Sequence, residues 1–322
     1  MASLRCTRLS LFTRYGPPEV VHVAEVEEPH AGPGEIRIAT RASGLSPGET
    51  LIRSGRLRDL VPVSFPYLTG FDAAGVVDEV GDGVEGIVPG AEVFGMSTMT
   101  RRAANADHVV LAVWAPKPPS WSWEEAGGAA GAVETATRVL DRLAVPTGGT
   151  VLVQGAAGGT GSVVVQVAVA RDLQVVGTAG EHNHHFLRSL GAIPTTYGPG
   201  LADRVRALVP DAVDAVADCA GGALPELVVI AGDPARVVTI ADFDAAAHGV
   251  HMSHGAPADE TGAALGAGAD PFAEHGLADA VALAAAGRLR IPIAGTFPLA
   301  AAAAAHALSE TRHARGKIVY TH

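Results

Sequence analysis

The stretch VLVQGAAGGTGSVVVQVA, residues 151–168, decides how this chain folds. It opens on an apolar run rich in valine, passes through Gly155, Gly158, Gly159 and Gly161, and closes on a second apolar run long enough for a helix. A strand that turns through glycines into a helix gathers backbone N–H groups and the positive end of the helix at one point. The glycines let a pyrophosphate approach that backbone. A glycine pattern alone is weak, but this one lies between one Val-rich strand and another, LQVVGTAG.

Working outward, AVDAVADCAG and ARVVTIAD repeat the short Val-rich texture with helical patterns between them, as a parallel sheet built from βαβ units requires. Upstream, SWEEAGGAAGAVETATRVLDRLA has a serine suited to cap a helix, acids in the first turn and helical apolar spacing. The first 115 or so residues differ: glycine and proline interrupt short β-rich runs such as EIRIATRAS, AAGVVDEV and DHVVLAV, as in a mainly antiparallel, barrel-like domain. After DAVALAAAGRLRI the strand texture returns in IPIAGTFPLA and GKIVYTH. The simplest account is an α/β protein in which a doubly wound domain, 121–289, is inserted into a domain made of 1–120 and 290–322. The alanine run 300–305 reads as a plain helix.

At 322 residues the chain has room for two domains, each with its own core. A net charge of −11 argues against a nucleic-acid partner. No 18-residue apolar run predicts a membrane span, and the N-terminus lacks the apolar core of a signal peptide, so a cytoplasmic protein is expected. Two distant cysteines, Cys6 and Cys219, exclude a disulfide framework and a Cys-rich zinc lobe. There is no nucleophile elbow to suggest a hydrolase.

The segment GEHNHH holds three histidines, His182, His184 and His185, with Glu181 the only acid close by. Spacing alone leaves metal binding open, although adjacent histidines point in different directions. Position says more. The segment follows LQVVGTAG, the second strand of the doubly wound domain, where the adenosine ribose is recognised.

Seven segments, GLSPGETLIRSG, GFDAAGVVDEVGDGV, GAEVFG, SWSWEEAGG, GAAGGTGSVVVQVA, FLRSLGA and GKIV, together resemble the zinc-independent quinone oxidoreductase branch of the medium-chain dehydrogenase/reductase superfamily. The resemblance implies a Rossmann-type domain inserted in a GroES-like domain. It implies hydride transfer from NADPH, with NADH possible, to a quinone or an α,β-unsaturated carbonyl compound, in a homodimer or homotetramer. Cofactor contacts carry over to Thr135, the crossover residues Gly158, Gly159, Thr160 and Gly161, the turn residues Gly180, His182 and Asn183, and Cys219, Ile240 and Lys317. Ser46 and Asp72 are the candidate catalytic residues. Ser46 would donate a hydrogen bond toward the nicotinamide or a carbonyl, and Asp72 would orient Arg53 or hold a loop.

Zinc-dependent relatives carry Cys and His where this chain has Ser46 and Phe71, and neither a hydroxyl nor a phenyl ring replaces those ligands, so no metal is expected. Where NADP-using relatives have Thr-Ala-Ser-Ala-Arg-Asn-His, this chain reads Thr178, Ala179, Gly180, Glu181, His182, Asn183, His184. The serine and arginine that grip the 2′-phosphate are thus Gly180 and His182. The chain also departs from the family at Leu51, Thr69 and His108, where relatives have Tyr, Pro and Tyr. His108 and His251 read as strand and packing residues, and Cys219 as a thiol ending a strand beside the cofactor cleft. A pocket without the usual Asn and Tyr donors also suits a specialised biosynthetic step on a polycyclic substrate. A non-catalytic cofactor-binding protein is the remaining reading.

Overall fold

In the computed structural model, which describes residues 5–98, 100–257 and 268–322, the glycine-rich stretch begins as the strand Thr150–Gln154, every residue of it buried. The chain reverses at Gly155, whose φ of +73° only glycine adopts without strain, and enters the helix Gly161–Ala170. Around this crossover lies a six-stranded parallel sheet, ordered Ile193–Thr195, Gln174–Thr178, Thr150–Gln154, Ala215–Asp218, Val237–Thr239 and His251–Met252. The first strand in sequence is central, with the second and third on one side and the fourth to sixth on the other. In such sheets the ligand crevice lies beyond the carboxyl ends, where the order reverses. One core, with Leu152, Val176, Val216, Leu224, Leu227 and Val237 all fully buried, ties strands to flanking helices.

The other unit is built on a seven-stranded sheet in which Ile36–Leu45 pairs antiparallel with Asp72–Val80, with His108–Leu111 and with Lys317–Thr321. The last of these brings residues from the end of the chain beside residues from its first sixth. The fold class is therefore the expected one: mixed α/β, with a parallel-sheet domain and a GroES-like domain. The chain divides into two compact units, one of residues 1–131, 277–285 and 290–322, the other of residues 132–276 and 286–289.

Two details differ from the sequence reading. SWEEAGGAAGAVETATRVLDRLA forms two helices, Trp123–Gly127 and Ala130–Leu143. The first starts with a full Ser122/Glu125 capping box, Glu125 N donating to Ser122 Oγ over 3.1 Å. It stops at a Gly-Gly pair because the chain packs tightly there: a Cβ on Gly127 would lie 2.6 Å from the Ala42 backbone. That contact places this helix in the first unit, not in the doubly wound domain to which its texture assigned it. The segment HGVHMSHG yields only the two-residue strand His251–Met252, because His251 and Ser253 turn to bond the carboxylate of Asp270. The alanine run is helical, as a 3₁₀ turn leading into Ala302–Glu310.

Candidate active site

The crossover of the parallel-sheet unit is held by side chains of its own strands. Gly155 N donates to Thr178 Oγ1 (3.1 Å), and Thr178 in turn donates to Gln154 Oε1 (2.6 Å). The four glycines are not equivalent. A Cβ on Gly161 would lie 2.2 Å from the Gly155 carbonyl oxygen, so Gly161 is needed for the turn itself. A Cβ on Gly158 meets only that same oxygen, at 3.3 Å, and otherwise faces open space. Its absence leaves a cradle over the start of the helix, where Ser162 N already bonds Gly158 O and Val164 N bonds Thr160 O. Thr160 stands at the N-cap position without a side-chain capping bond. These residues fit a dinucleotide pyrophosphate.

Cys219 and Ile240 directly follow the carboxyl ends of neighbouring strands: Cys219 N donates to Gln154 O and Ile240 N to Asp218 O. Burial, with the charge of Asp218 adding to it, pushes the Cys219 thiol far up, so it stays a neutral packing group. Thr135 lies apart from the crossover in the hydrogen-bond pattern, donating to Glu134 Oε2 and accepting from Arg138 Nη2.

The turn after Gln174–Thr178 is compact. Gly180 precedes a 3₁₀ turn, Glu181–Asn183, and a helix starts at His184. The His182 ring folds over Gly180, so closely that a Cβ there would come within 2.9 Å of His182 Cε1. His182 Nε2 lies 3.1 Å from Asn183 Nδ2. The loss of a side chain at 180 and the gain of a ring at 182 are thus one change, not two. His184 is a helix-start residue. Among the described residues no metal-ligating group of three includes any of the three histidines.

In the other unit, Ser46 caps the helix Pro47–Arg53, its Oγ accepting from Gly48 N over 3.4 Å. That use occupies an acceptor lone pair and leaves the hydroxyl proton for donation. Asp72 is 2% exposed and does not orient Arg53: its Oδ2 lies 3.5 Å from the Lys317 ammonium, itself buried. Arg53 is fully buried and donates to the Gly16 carbonyl and to Glu310. Lys317 therefore sits beside Asp72, in the GroES-like unit. The sequence reading missed Glu49. The Ser-x-x-Glu spacing marks a capping box, but nothing in it says that this glutamate is 6% exposed and also accepts from Gly70 N across the fold.

The zinc-ligand positions of metal-dependent relatives hold the helix-capping Ser46 and the phenyl of Phe71, a donor set that does not fit zinc. The one metal-ligating group of three among the described residues, Glu28, Asp78 and His108, lies elsewhere. A buried cation already serves it: the Arg37 guanidinium bonds Glu28 and Asp78 at 2.9 Å and Glu79 at 2.8 Å.

A parallel sheet of this order with a glycine crossover, alongside a GroES-like sheet, belongs to the medium-chain dehydrogenase/reductase superfamily. Two family patterns agree: the alcohol dehydrogenase GroES-like domain matches residues 32–147, and the zinc-binding dehydrogenase pattern matches residues 196–319. The chain's sequence is similar to that of quinone-oxidoreductase-type proteins. It is 35% identical to a quinone oxidoreductase of Rattus norvegicus over 172 residues, which is 52% of this chain and 50% of the relative. The chain thus spans about half the length of curated relatives of this kind. A 306-residue match, 92% of this chain, is 31% identical to 8% of an erythronolide synthase of Saccharopolyspora erythraea. The solved quinone oxidoreductase of Coxiella burnetii superposes with a TM-score of 0.78 at 25% identity, covering 99% of this chain and all of that one.

Proposed function

We propose that the protein is an NADPH-dependent reductase of quinones or α,β-unsaturated carbonyl compounds that works without zinc, as a homodimer or homotetramer. The observation that carries the reading is the Gly155–Gly161 crossover, open above Gly158 and preceded by a buried strand. The cofactor supplies the hydride; the chain supplies the cradle for its pyrophosphate and a hydroxyl donor at Ser46. With Ser46 and Phe71 at the zinc positions, carbonyl polarisation falls to hydrogen-bond donors. The relatives named quinone oxidoreductases support the substrate class, and assembly is supported by the His251–Met252 strand at the edge of the sheet. Among the described residues no helix is long and apolar enough to cross a membrane.

Oxidation of NADPH followed at 340 nm against a panel of quinones and enones tests the reading; no turnover with any of them would refute it. Metal analysis of protein purified without added zinc should find no stoichiometric zinc, and one tightly held ion per chain would contradict the zinc-independent assignment.

The turn at 180–183 carries a second expectation. His182 pairs with the 2′-phosphate of NADPH when its imidazole is charged, while Glu181 repels that phosphate. The preference for NADPH over NADH, measured as a ratio of dissociation constants, should therefore fall in His182→Ala. In Gly180→Ser the new Cβ displaces the ring and should alter the ratio without changing the crossover. A ratio independent of both substitutions would return His182 to the solvated surface.

A further inference from the structure

We propose that Glu49 is a positioning residue: its carboxylate clamps the turn that begins at Ser46 to the turn at Gly70, and the clamp opens when the carboxylate takes a proton. The inference rests on the proposed reductase reading, in which Ser46 faces the substrate. The geometry is specific. Glu49 Oε2 accepts from Ser46 N over 3.2 Å, within its own helix cap, while Oε1 accepts from Gly70 N, 21 residues away. One carboxylate therefore joins the chain just before Phe71 and Asp72 to the chain at Ser46, the two places where metal-dependent relatives hold their ligands.

Gly70 itself has no freedom to retreat. Its φ is +96°, and a Cβ there would lie 2.2 Å from Asn105 N. The Ser46 hydroxyl accepts from Gly48 N within the cap that Glu49 holds.

An ordinary capping-box glutamate lies at the surface and its ionisation changes little. Glu49 is buried, and burial raises its carboxyl to about 6; the N–H groups of Gly70 and Ser46 oppose that rise, Asp72 adds to it and Arg102 opposes it. The elements around it are accounted for. Asp72, on its own strand, is paired with Lys317. Arg102 stands over the Tyr67 ring, 5.2 Å from its centroid. Tyr67 and Tyr320 both titrate far above neutrality, chiefly through burial, and remain neutral phenols. Glu49 is thus the group of this cluster that changes charge near neutral pH. The sign follows: an acid whose pKa is raised on folding favours the folded state most when protonated, so the ionised clamp is held at the expense of stability. A residue kept only for stability would not be an ionised, buried acid at neutral pH.

Two readouts test this. In ¹⁵N-labelled wild-type protein the amide protons of Ser46 and Gly70 should shift together with one midpoint near pH 6, and both should be stationary in Glu49→Gln, whose NH₂ group cannot accept. With NADPH and 1,4-benzoquinone, kcat should fall about tenfold from pH 7 to pH 5 with the same midpoint, while KM for NADPH stays constant and Glu49→Gln lacks this limb. Stationary amides in the wild type, or an acid limb that survives in Glu49→Gln, overturn the clamp. The wild-type titration needs no variant to fold. If the amides titrate but neither quinones nor enones are reduced, the reductase reading fails and the clamp stands; if quinones are reduced while the amides do not move, the clamp fails and the reading stands.

Discussion

Gly158→Val is expected to weaken NADPH binding by roughly 100-fold or more, a loss of about 2.7 kcal/mol, with little change in the folded structure. The two halves of this expectation come from one measurement on the crossover. Among the described residues beyond its chain neighbours, a Cβ at 158 meets just the Gly155 carbonyl oxygen, at 3.3 Å, a contact that small backbone adjustments absorb. Everything else around that Cβ is open, and the two γ-methyl groups of valine fill the space into which a pyrophosphate has to come. Gly161→Ala behaves differently: its Cβ would collide with the Gly155 carbonyl at 2.2 Å, so the turn itself must move and stability falls with affinity. Titration of both variants by cofactor fluorescence, with thermal unfolding alongside, separates a blocked cradle from a broken turn. Unchanged affinity in a well-folded Gly158→Val would remove the cofactor from this crossover.

Much of the fold was legible in the sequence because its signals are local. The strand at 150–154, the glycines after it and the strand at 174–178 are read from neighbours in the chain, and the Ser122 cap from a spacing of three residues. The boundary of the inserted domain was less legible, since Gly127 leaves its apparent helix for a contact with Ala42, 85 positions earlier.

Site residues divide along the same line. The pairing of His182 with Gly180 spans two residues and could have been inferred from the joint change at both. The pairings of Asp72 with Lys317, of Arg53 with Glu310 and of Glu49 with Gly70 depend on which strands become neighbours. Asp72, in an otherwise apolar strand, was read as orienting Arg53 or holding a loop. Antiparallel pairing of Lys317–Thr321 with Ile36–Leu45 brings the Lys317 ammonium to it instead. Sequence marks such residues as odd and does not say whom they meet.

The parallel-sheet unit contains a charge network of which only the Glu134/Arg138 spacing of four is a local pattern, and it carries the second large effect. Glu134, 2% exposed, accepts from Arg138 Nε (2.7 Å) and Nη2 (3.2 Å) and from Ala273 N (3.2 Å). Arg138, 6% exposed, also donates to Ser253, which bonds Asp270, and Asp270 in turn takes bonds from His251 and Arg142. Glu134, Arg138, Ser253 and Asp270, up to 136 positions apart, are thereby tied into one buried run of hydrogen bonds, with the half-exposed Arg142 at its end. Removing one member is costly because the others cannot return to water. Among the described residues, Glu134→Ala leaves the buried Arg138 guanidinium with hydroxyl partners alone and Ala273 N without an acceptor, so a loss of about 3–5 kcal/mol is expected. Replacing both charges with apolar residues of similar size, Glu134→Leu with Arg138→Met, should recover a large part of that loss, since the desolvation of both ions is then avoided. Denaturant unfolding of the two single variants and the double variant supplies the cycle. If the double variant is as unstable as the sum of the singles, the two side chains act independently and the network is only a proximity of charges.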